Sequence, residues 1–251
     1  MERITSLKNP KVQQWKSLKD RKGRRETGCF LAEGRKMAEE ALLSGFQVEA
    51  LLVDEARLSE FPLPDNVPVY ALSEHVLAAV CDTKTPQGIA AVVKMQTNAA
   101  MGRKVVALDG VQDPGNVGTI IRTADAAGLE GIILSEQCAD VFSPKTLRAT
   151  MGSIFRMPLA VTGDLPGYLT SLRENGYSVI SSQLDGEPFY QRQPVGEKFC
   201  LIIGNEGNGI SDEVKATATH KVKLPMRGGA ESLNAAIAAG IMMYDLMRED
   251  I

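Results

Sequence analysis

Residues 108–128 read LDGVQDPGNVGTIIRTADAAG, and the fold of the second half of the chain depends on them. The apolar run VVALD (105–109) predicts a buried strand, DPGN (113–116) has the residue types of a tight turn, and a helix is predicted to begin near Gly118. Such a helix start leaves backbone N–H groups free to bind an anion, and Arg122 follows about one turn later. A plain strand–turn–helix with a surface arginine also fits these residues. The glycine spacing does not match G-x-G-x-x-G, which argues against a standard dinucleotide site.

Strands and helices continue to alternate beyond this stretch. Further strands are predicted at 131–135, 177–182 and 199–204, and helices at 118–127, 144–151, 164–175, 211–217 and 232–248. This alternation predicts an α/β domain with a mainly parallel sheet that is covered by helices on both faces.

The first 95 residues predict a smaller α/β unit. Its helices are expected at 9–22, 36–44 and 74–80, and its strands at 30–34, 48–54, 67–72 and 88–95. The polar, small-sided stretch QTNAAMGRK (96–104) has the composition of a linker. The predicted organisation is therefore a domain at 1–95, a linker at 96–104 and a second domain at 105–251.

The composition bounds the class of protein. Hydrophobic residues make up 44% of the chain, which is ordinary for a globular protein with a packed core. No apolar run approaches the roughly 18 residues of a membrane span, and the N-terminus has no apolar signal-peptide core. The four cysteines are widely separated, which argues against a zinc site or a disulfide framework. We expect a cytoplasmic protein with no bound metal and no membrane association.

Charge is unevenly distributed along the chain. The formal net charge is −3, yet residues 1–36 contain 11 Lys or Arg and only 4 Asp or Glu. A basic segment on an acidic body indicates an arm that contacts nucleic-acid phosphates. A solvated helix face accounts for the same charges equally well.

The second block of interest is FCLIIGNEGNGIS (199–211). Three glycines within 204–209 follow a buried strand, and they allow a ligand to approach the backbone closely. Glu206 stands at the strand's end, where ligands bind in open α/β sheets. An ordinary loop with Ser211 capping the next helix is the simpler alternative. No lysine accompanies these glycines, which argues against a nucleotide phosphate loop.

The third block is VKLPMRGGAESLNAAIAAGIMMYDLM (222–247). A Gly-rich loop leads into a long helix that is predicted to begin near Ser232, and several alanines make part of this helix small-sided. Ser232 and Asn234 are suited either to capping the helix or to presenting a hydroxyl and an amide to a substrate. Tight core packing explains the small residues as well as a ligand or partner helix does.

In this order, the three blocks resemble the SpoU family of RNA 2′-O-ribose methyltransferases, within the SPOUT class. NVGTIIRTADAAG is similar to the family's first motif, IIGNEGNGIS to its second, and LPMRGGAESLNAAIAAGIMMYD to its third. KNPKVQQWKSL, FLAEGRKMAEEAL and TKTPQGIAAVV resemble the substrate-binding domain that often precedes the catalytic one. The resemblance implies an α/β domain with a deep trefoil knot, S-adenosylmethionine bound in the knotted loops, and a homodimer formed through that region.

The resemblance also implies site residues. Those expected to be catalytic are Asn116, Arg122, Glu206, Ser232 and Asn234. Those expected to contact the cofactor are Ile203, Gly204, Leu224, Met226, Ser232 and Leu233. Those expected to contact RNA are Lys8, Lys11, Lys16, Lys19, Arg21, Lys22, Arg24, Arg25 and Arg35.

The implied reaction is methyl transfer from S-adenosylmethionine to a ribose 2′-hydroxyl. Arg122 is sometimes taken as the general base in this family, but a guanidinium stays protonated in proteins. Our hypothesis is that it binds the target phosphate and stabilises the developing alkoxide. Asn116, Ser232 and Asn234 would orient the ribose, and Glu206 would hold either Arg122 or the loops. Ribosomal RNA is the expected target, with transfer RNA or a catalytically inactive RNA-binding relative as alternatives.

Overall fold

The structure is a computed structural model that describes residues 1–248, apart from the side chain of Leu184. Contacts divide it into two compact units. One is Met1–Gln96 together with Phe142–Arg156, and the other is Thr97–Val141 together with the chain from Met157 onward. The second unit differs from the predicted second domain, 105–251, because it also contains 97–104, most of the expected linker, and excludes 142–156. Residues 249–251 lie outside the described part. No helix within 1–248 is long and apolar enough to cross a membrane.

The first unit is built on a five-stranded mixed sheet with strand order β1-β4-β3-β5-β2. Its elements from the first 96 residues are β1 (Glu2–Ile4), α1 (Pro10–Ser17), α2 (Arg21–Thr27), β2 (Cys29–Glu33), α3 (Arg35–Leu43), β3 (Val48–Asp54), β4 (Val69–Leu72), α4 (Glu74–Val80) and β5 (Ile89–Lys94). The short strand β1 was not predicted, because three residues carry too little alternation to be recognised.

The helix predicted over 9–22 is in fact the two helices α1 and α2. The Arg24 side chain is only 3% exposed, and its guanidinium donates hydrogen bonds to the carbonyl oxygens of Leu18 (2.8 Å) and Lys19 (2.7 Å), where α1 ends. A Cβ on Gly23 would lie 2.1 Å from the carbonyl oxygen of Ser17, so only glycine permits this close approach. A buried arginine therefore stabilises the break between the helices.

The second unit contains a six-stranded sheet in which every neighbouring pair is parallel, with strand order β11-β9-β10-β6-β7-β8. The elements from residue 104 onward are β6 (Lys104–Asp109), α5 (Pro114–Ala127), β7 (Ile132–Ser135), α6 (Pro144–Thr150), β8 (Leu159–Thr162), α7 (Leu165–Glu174), β9 (Ser178–Pro188), β10 (Phe199–Gly204), α8 (Asp212–Lys215), β11 (His220–Lys223) and α9 (Ala235–Leu246). The predicted parallel α/β architecture is confirmed. Strands β8 and β11 were not predicted, and α5 begins at Pro114 rather than near Gly118.

Helix α6 belongs by its contacts to the first unit, although it follows β7 in the chain. The reason is an aromatic cluster. Phe30 of β2 stacks on Phe142 with ring centroids 4.7 Å apart and on Phe155 at 6.1 Å, and Phe46 meets Phe155 edge-on at 5.4 Å. Two of the four phenylalanines in this core thus come from the later segment.

The order of the six strands determines where a ligand can bind. From β6 the chain moves outward to β7 and β8 on one side, and later strands fill the other side through β10, β9 and β11. In open α/β sheets the crevice lies at such a switch point, outside the carboxyl ends of the strands. Asp109 and Gly204 end the adjacent strands β6 and β10 in register with each other. The first two sequence blocks therefore meet at this edge.

Candidate active site

Asn116 is positioned by the start of helix α5. Asp113 precedes the helix with extended backbone, and its Oδ1 accepts a hydrogen bond from the backbone N–H of Asn116 at 3.0 Å. Pro114 occupies the first helical position, where no N–H is needed. Because the helix starts four residues earlier than predicted, Asn116 lies in its first turn, at the carboxyl edge of the sheet.

Glu206 is presented by a tight loop that follows β10. The backbones of Asn205 and Gly209 exchange two hydrogen bonds of 2.9 Å across this loop. The Asn205 side chain accepts from the N–H groups of Gly207 (2.9 Å) and Asn208 (3.0 Å) and donates to the carbonyl of Gly110 at 2.8 Å. A Cβ on Gly204 would come within 2.3 Å of the Gly209 backbone, so the loop can fold back only over a glycine.

Three side chains from the three sequence blocks form one hydrogen-bonded polar chain, Glu206–Asn116–Asn234. Asn116 Nδ2 donates to Glu206 Oε1 at 2.8 Å, and Asn234 Nδ2 donates to Asn116 Oδ1 at 2.9 Å. Asn234 Oδ1 in turn caps α9 by accepting from the N–H groups of Ala236 (2.9 Å) and Ile237 (3.2 Å). A carboxylate only accepts and helix N–H groups only donate, so both ends fix how the two amides are oriented.

Glu206 also holds the loop that follows β6. Its two carboxylate oxygens accept hydrogen bonds from the N–H groups of Gln112 (3.1 Å) and Asp113 (3.2 Å). Burial raises the pKa of this carboxyl, but the hydrogen bonds from Asn116 and the backbone outweigh it, and the net pKa lies below the ordinary value. The resulting stabilisation is complete above the ordinary glutamate pKa of about 4.3 and is lost as the pH falls through the lower folded-state value.

Arg122 and Ser232 do not join the polar chain. Arg122 is exposed on α5, six residues or about 9 Å along the helix from Asn116. Of the two partners expected for Glu206, Arg122 or the loops, the structure shows the loops: among residues 1–248 its hydrogen bonds and ion pairs do not include Arg122. Ser232 is exposed beside Leu233 and does not cap α9, a role that Asn234 takes.

A cavity of about 220 Å³ lies next to the start of α9. It is lined by Tyr190, Leu224, Pro225, Met226, Arg227, Gly228, Ala230, Leu233 and Ile241. Of the six expected cofactor residues, this cavity brings together Leu224, Met226 and Leu233. The Ile203 side chain is only 3% exposed within the sheet, so it has no free surface for a ligand. Gly204 is explained by the close approach of its own loop.

Sequence patterns did not indicate Tyr190 or Ile241 as part of this cavity. Strand β9 was expected to end at 182, which left residues 183–191 in an unassigned loop. Ile241 lies in an almost uniformly apolar helix, where no pattern separates a core position from a ligand contact.

The matches to known families coincide with the two halves of the chain. The SpoU rRNA methylase family model matches residues 103–244, which contain the entire polar chain and the cavity. The chain belongs to the SpoU rRNA methylase family. The MRM3-like substrate binding domain matches residues 9–91.

Individual relatives agree with this assignment. The chain is 45% identical to the 23S rRNA (guanosine(2553)-2′-O)-methyltransferase RlmP of Bacillus subtilis over 98% of this chain and 99% of that one. An AdoMet-bound rRNA methyltransferase from Sinorhizobium meliloti superposes with a TM-score of 0.90 at 34% identity, covering 100% of this chain and 98% of that one. The SpoU methyltransferase AviRb from Streptomyces viridochromogenes, in complex with AdoMet, gives a TM-score of 0.85 at 28% identity, covering 97% and 98%.

The family confirms the predicted enzyme class, an RNA ribose 2′-O-methyltransferase that uses S-adenosylmethionine. The residues around the cavity fit this cofactor, because apolar side chains suit the faces of a purine and exposed backbone suits its polar edge. Pockets that enclose whole drug-sized ligands have volumes of about 300–1,000 Å³, so a cavity of 220 Å³ has room for only part of such a ligand.

We predict that Glu206→Gln reduces methyl transfer about tenfold. A glutamine amide places an NH2 group where Gln112, Asp113 or Asn116 now donates, and leaving one such donor unpaired costs about 1–3 kcal/mol, with the lower part of that range applying at this exposed site. The measurement is kcat/KM for transfer of labelled methyl to RNA. Glu213→Gln, an exposed glutamate on α8, is the matched control and should retain full activity. Equal rates for both variants would contradict the role of Glu206.

Proposed function

We propose that the chain methylates the 2′-hydroxyl of a guanosine in 23S ribosomal RNA, the one equivalent to guanosine 2553, and that it works in the cytoplasm. The observation that carries this proposal is the polar chain Glu206–Asn116–Asn234 beside an apolar cavity, in a chain 45% identical to RlmP along nearly its whole length. Both the catalytic half and the N-terminal half share this similarity.

In the proposed mechanism the residues of this chain align the target ribose and stabilise the negative charge that develops on its 2′-oxygen. The bound cofactor supplies a methyl group that is already activated by its sulfonium. Asn116 donates one amide hydrogen to Glu206 and Asn234 donates one to Asn116, so each keeps a second amide hydrogen. These two hydrogens and the Ser232 hydroxyl orient the ribose. Arg122 binds the target phosphate and stabilises negative charge on the 2′-oxygen as the hydroxyl proton passes to water. Glu206 acts as a positioning residue that holds Asn116 and the loop after β6.

The decisive experiment compares RNA substrates and one variant. The wild-type protein should methylate a 23S rRNA fragment containing that guanosine, mapped by resistance of the 2′-O-methylated position to alkaline cleavage. Arg122→Lys should lose most of kcat while its affinity for S-adenosylmethionine stays unchanged, because lysine cannot form the bidentate phosphate contact. Methylation of transfer RNA but not of the 23S fragment would contradict the assignment of 23S rRNA as the substrate. Near-wild-type turnover by Arg122→Lys would overturn the role of the guanidinium.

We further propose that residues 1–95 form the RNA substrate-binding domain, that 96–104 form a linker, and that 105–251 form the methyltransferase domain. The match to a substrate-binding domain at 9–91 and the local excess of basic residues support this. Arg24 does not fit the expected set of RNA contacts, because its guanidinium is buried and donates to the end of α1. Lys11 is bonded to Glu2 and Tyr70, whereas Arg21, Lys22 and Arg25 are exposed along α2.

The basic surface predicts a change in salt dependence. Replacing Arg21 and Arg25 together by alanine should weaken RNA binding and lower the slope of log K against log salt by about 0.7–0.9 for each lost phosphate contact. Filter binding over a range of salt concentrations measures this slope. Arg173→Ala, which removes an exposed charge from α7, should leave the slope unchanged. An unchanged slope in the double variant would assign the basic residues to a solvated surface.

We also propose that the enzyme is a homodimer with a trefoil knot at the interface. The knot is supported by the path of the chain: after β11 at one edge of the sheet, α9 returns to pack on α5, and Asn234 bonds to Asn116. The dimer is supported by an apolar stripe on α9, where Ile237, Ile241 and Tyr244 are 54%, 38% and 47% exposed at helical spacing.

A charge placed in this stripe should dissociate the dimer. Ile237→Glu would bury an unpaired carboxylate in the interface, so the protein should sediment as a monomer at concentrations where the wild type is dimeric. Leu43→Glu, at an 88% exposed position in the first unit, is the control and should remain dimeric. A monomeric wild type, or a dimeric Ile237→Glu, would exclude this face as the interface.

A further inference from the structure

Tyr190 is an exposed aromatic residue for which neither the motifs nor the polar chain provides a role. Its side chain is 58% exposed, yet it lines the same cavity as Leu224, Met226 and Leu233. It lies just beyond the carboxyl end of β9, at the same edge of the sheet as the other site loops. A large ring left half in solvent at the rim of an apolar cavity offers a flat surface to a flat ligand.

The Tyr190 ring is held in place by contacts with Phe189 and by the interactions of Arg192. Tyr190 packs edge-on against Phe189, with centroids 5.5 Å apart, and Phe189 itself is completely buried. The Arg192 guanidinium lies 4.1 Å from the Phe189 ring, donates to the Phe189 carbonyl at 2.8 Å, and pairs with Asp245 of α9 at 2.7 Å. The Arg192 and Asp245 side chains are only 16% and 17% exposed. The turn that carries Tyr190 is thereby fixed to α9.

We propose that Tyr190 stacks on the adenine of S-adenosylmethionine and that Arg192 and Asp245 are positioning residues that hold it there. This inference rests on the proposed location of the cofactor in the cavity. Base–aromatic stacking needs only an exposed ring in a fixed orientation, which the contacts through Phe189 and Arg192 provide.

The point on α9 to which the Tyr190 turn is fixed selects the adenine rather than the methyl group. Asn234, which caps the start of α9, belongs to the polar chain that is proposed to orient the ribose. Arg192, two residues after Tyr190, pairs with Asp245, which lies eleven residues after Asn234, about 16 Å farther along the helix. The reacting methyl must lie near the polar chain, so Tyr190 faces the opposite end of the cofactor.

The test measures affinity for S-adenosylmethionine and for its demethylated product, S-adenosylhomocysteine, by calorimetry. Tyr190→Ala should weaken both by about 5- to 150-fold, the effect of losing one base–aromatic stack. Tyr190→Phe should bind like the wild type, and Tyr190→Leu, which keeps apolar surface without a ring, should be weakened like the alanine variant. Weakening of S-adenosylmethionine alone would overturn the adenine assignment, because it would indicate contact with the sulfonium charge.

The positioning role of Arg192 and Asp245 is tested by measuring KM and kcat separately. Arg192→Ala and Asp245→Asn should raise KM for S-adenosylmethionine while kcat at saturation stays near wild type, and Arg192→Lys should restore part of the affinity by keeping the ion pair. A fall in kcat with unchanged KM in these variants would exclude a positioning role.

Two outcomes separate this inference from the proposed function. A wild-type protein that binds no S-adenosylmethionine would refute the cofactor cavity itself. A wild type that binds it while Tyr190→Ala binds equally well would refute only the stacking role. Sedimentation of each variant accompanies the binding measurements: loss of affinity that appears only with dissociation into monomers would assign Tyr190 to the dimer interface and overturn the proposal.

Discussion

The rest of the site depends on the two hydrogen bonds made by the side-chain amide of Asn116. This amide joins a carboxylate from the loop after β10 to the residue that caps α9, and so ties together three segments that are about 90 and 118 residues apart in sequence. Neither amide can be reversed without placing two donors or two acceptors face to face. The site is therefore preorganised in one arrangement, and the hydrogens left over on both amides point away from the protein's own bonds.

This arrangement needs the parallel sheet beneath it. Adjacent parallel strands deliver their carboxyl ends to one edge, so β6 and β10 bring the first two motifs side by side although the chain between them forms three other strands. The third motif reaches the same edge by a different route, through a loop after β11 and the start of α9. Tyr190, just beyond β9, belongs to the same edge, which explains how a residue outside every motif comes to line the cavity.

Sequence patterns were sufficient where physical requirements are local. The Gly-rich loop and the capping asparagine follow from turn and cap chemistry, whereas Leu224, Met226 and Leu233 were expected at the cofactor because of the resemblance to the family. Sequence patterns failed where the folded structure decides which groups are buried and which segments pair. The helix break at Arg24 arises from a buried guanidinium, which sequence patterns did not indicate. Strand β11, HKVK, is too short and too polar to be distinguished from a loop. The exposure of Arg122, free of Glu206, depends on where another loop lies and cannot be read from a motif.

The aromatic cluster makes the first unit depend on a segment that comes later in the chain. The chain passes between the units at three places, near 96, 141 and 156, because Phe142 and Phe155 complete a core that begins with Phe30 and Phe46. A gene fragment that stops at residue 96 encodes only half of that ring cluster. The two units therefore cannot be exchanged separately between proteins. A recombination event that joined the N-terminal segment to another catalytic domain would also have to transfer the segment 142–156, which lies between β7 and β8.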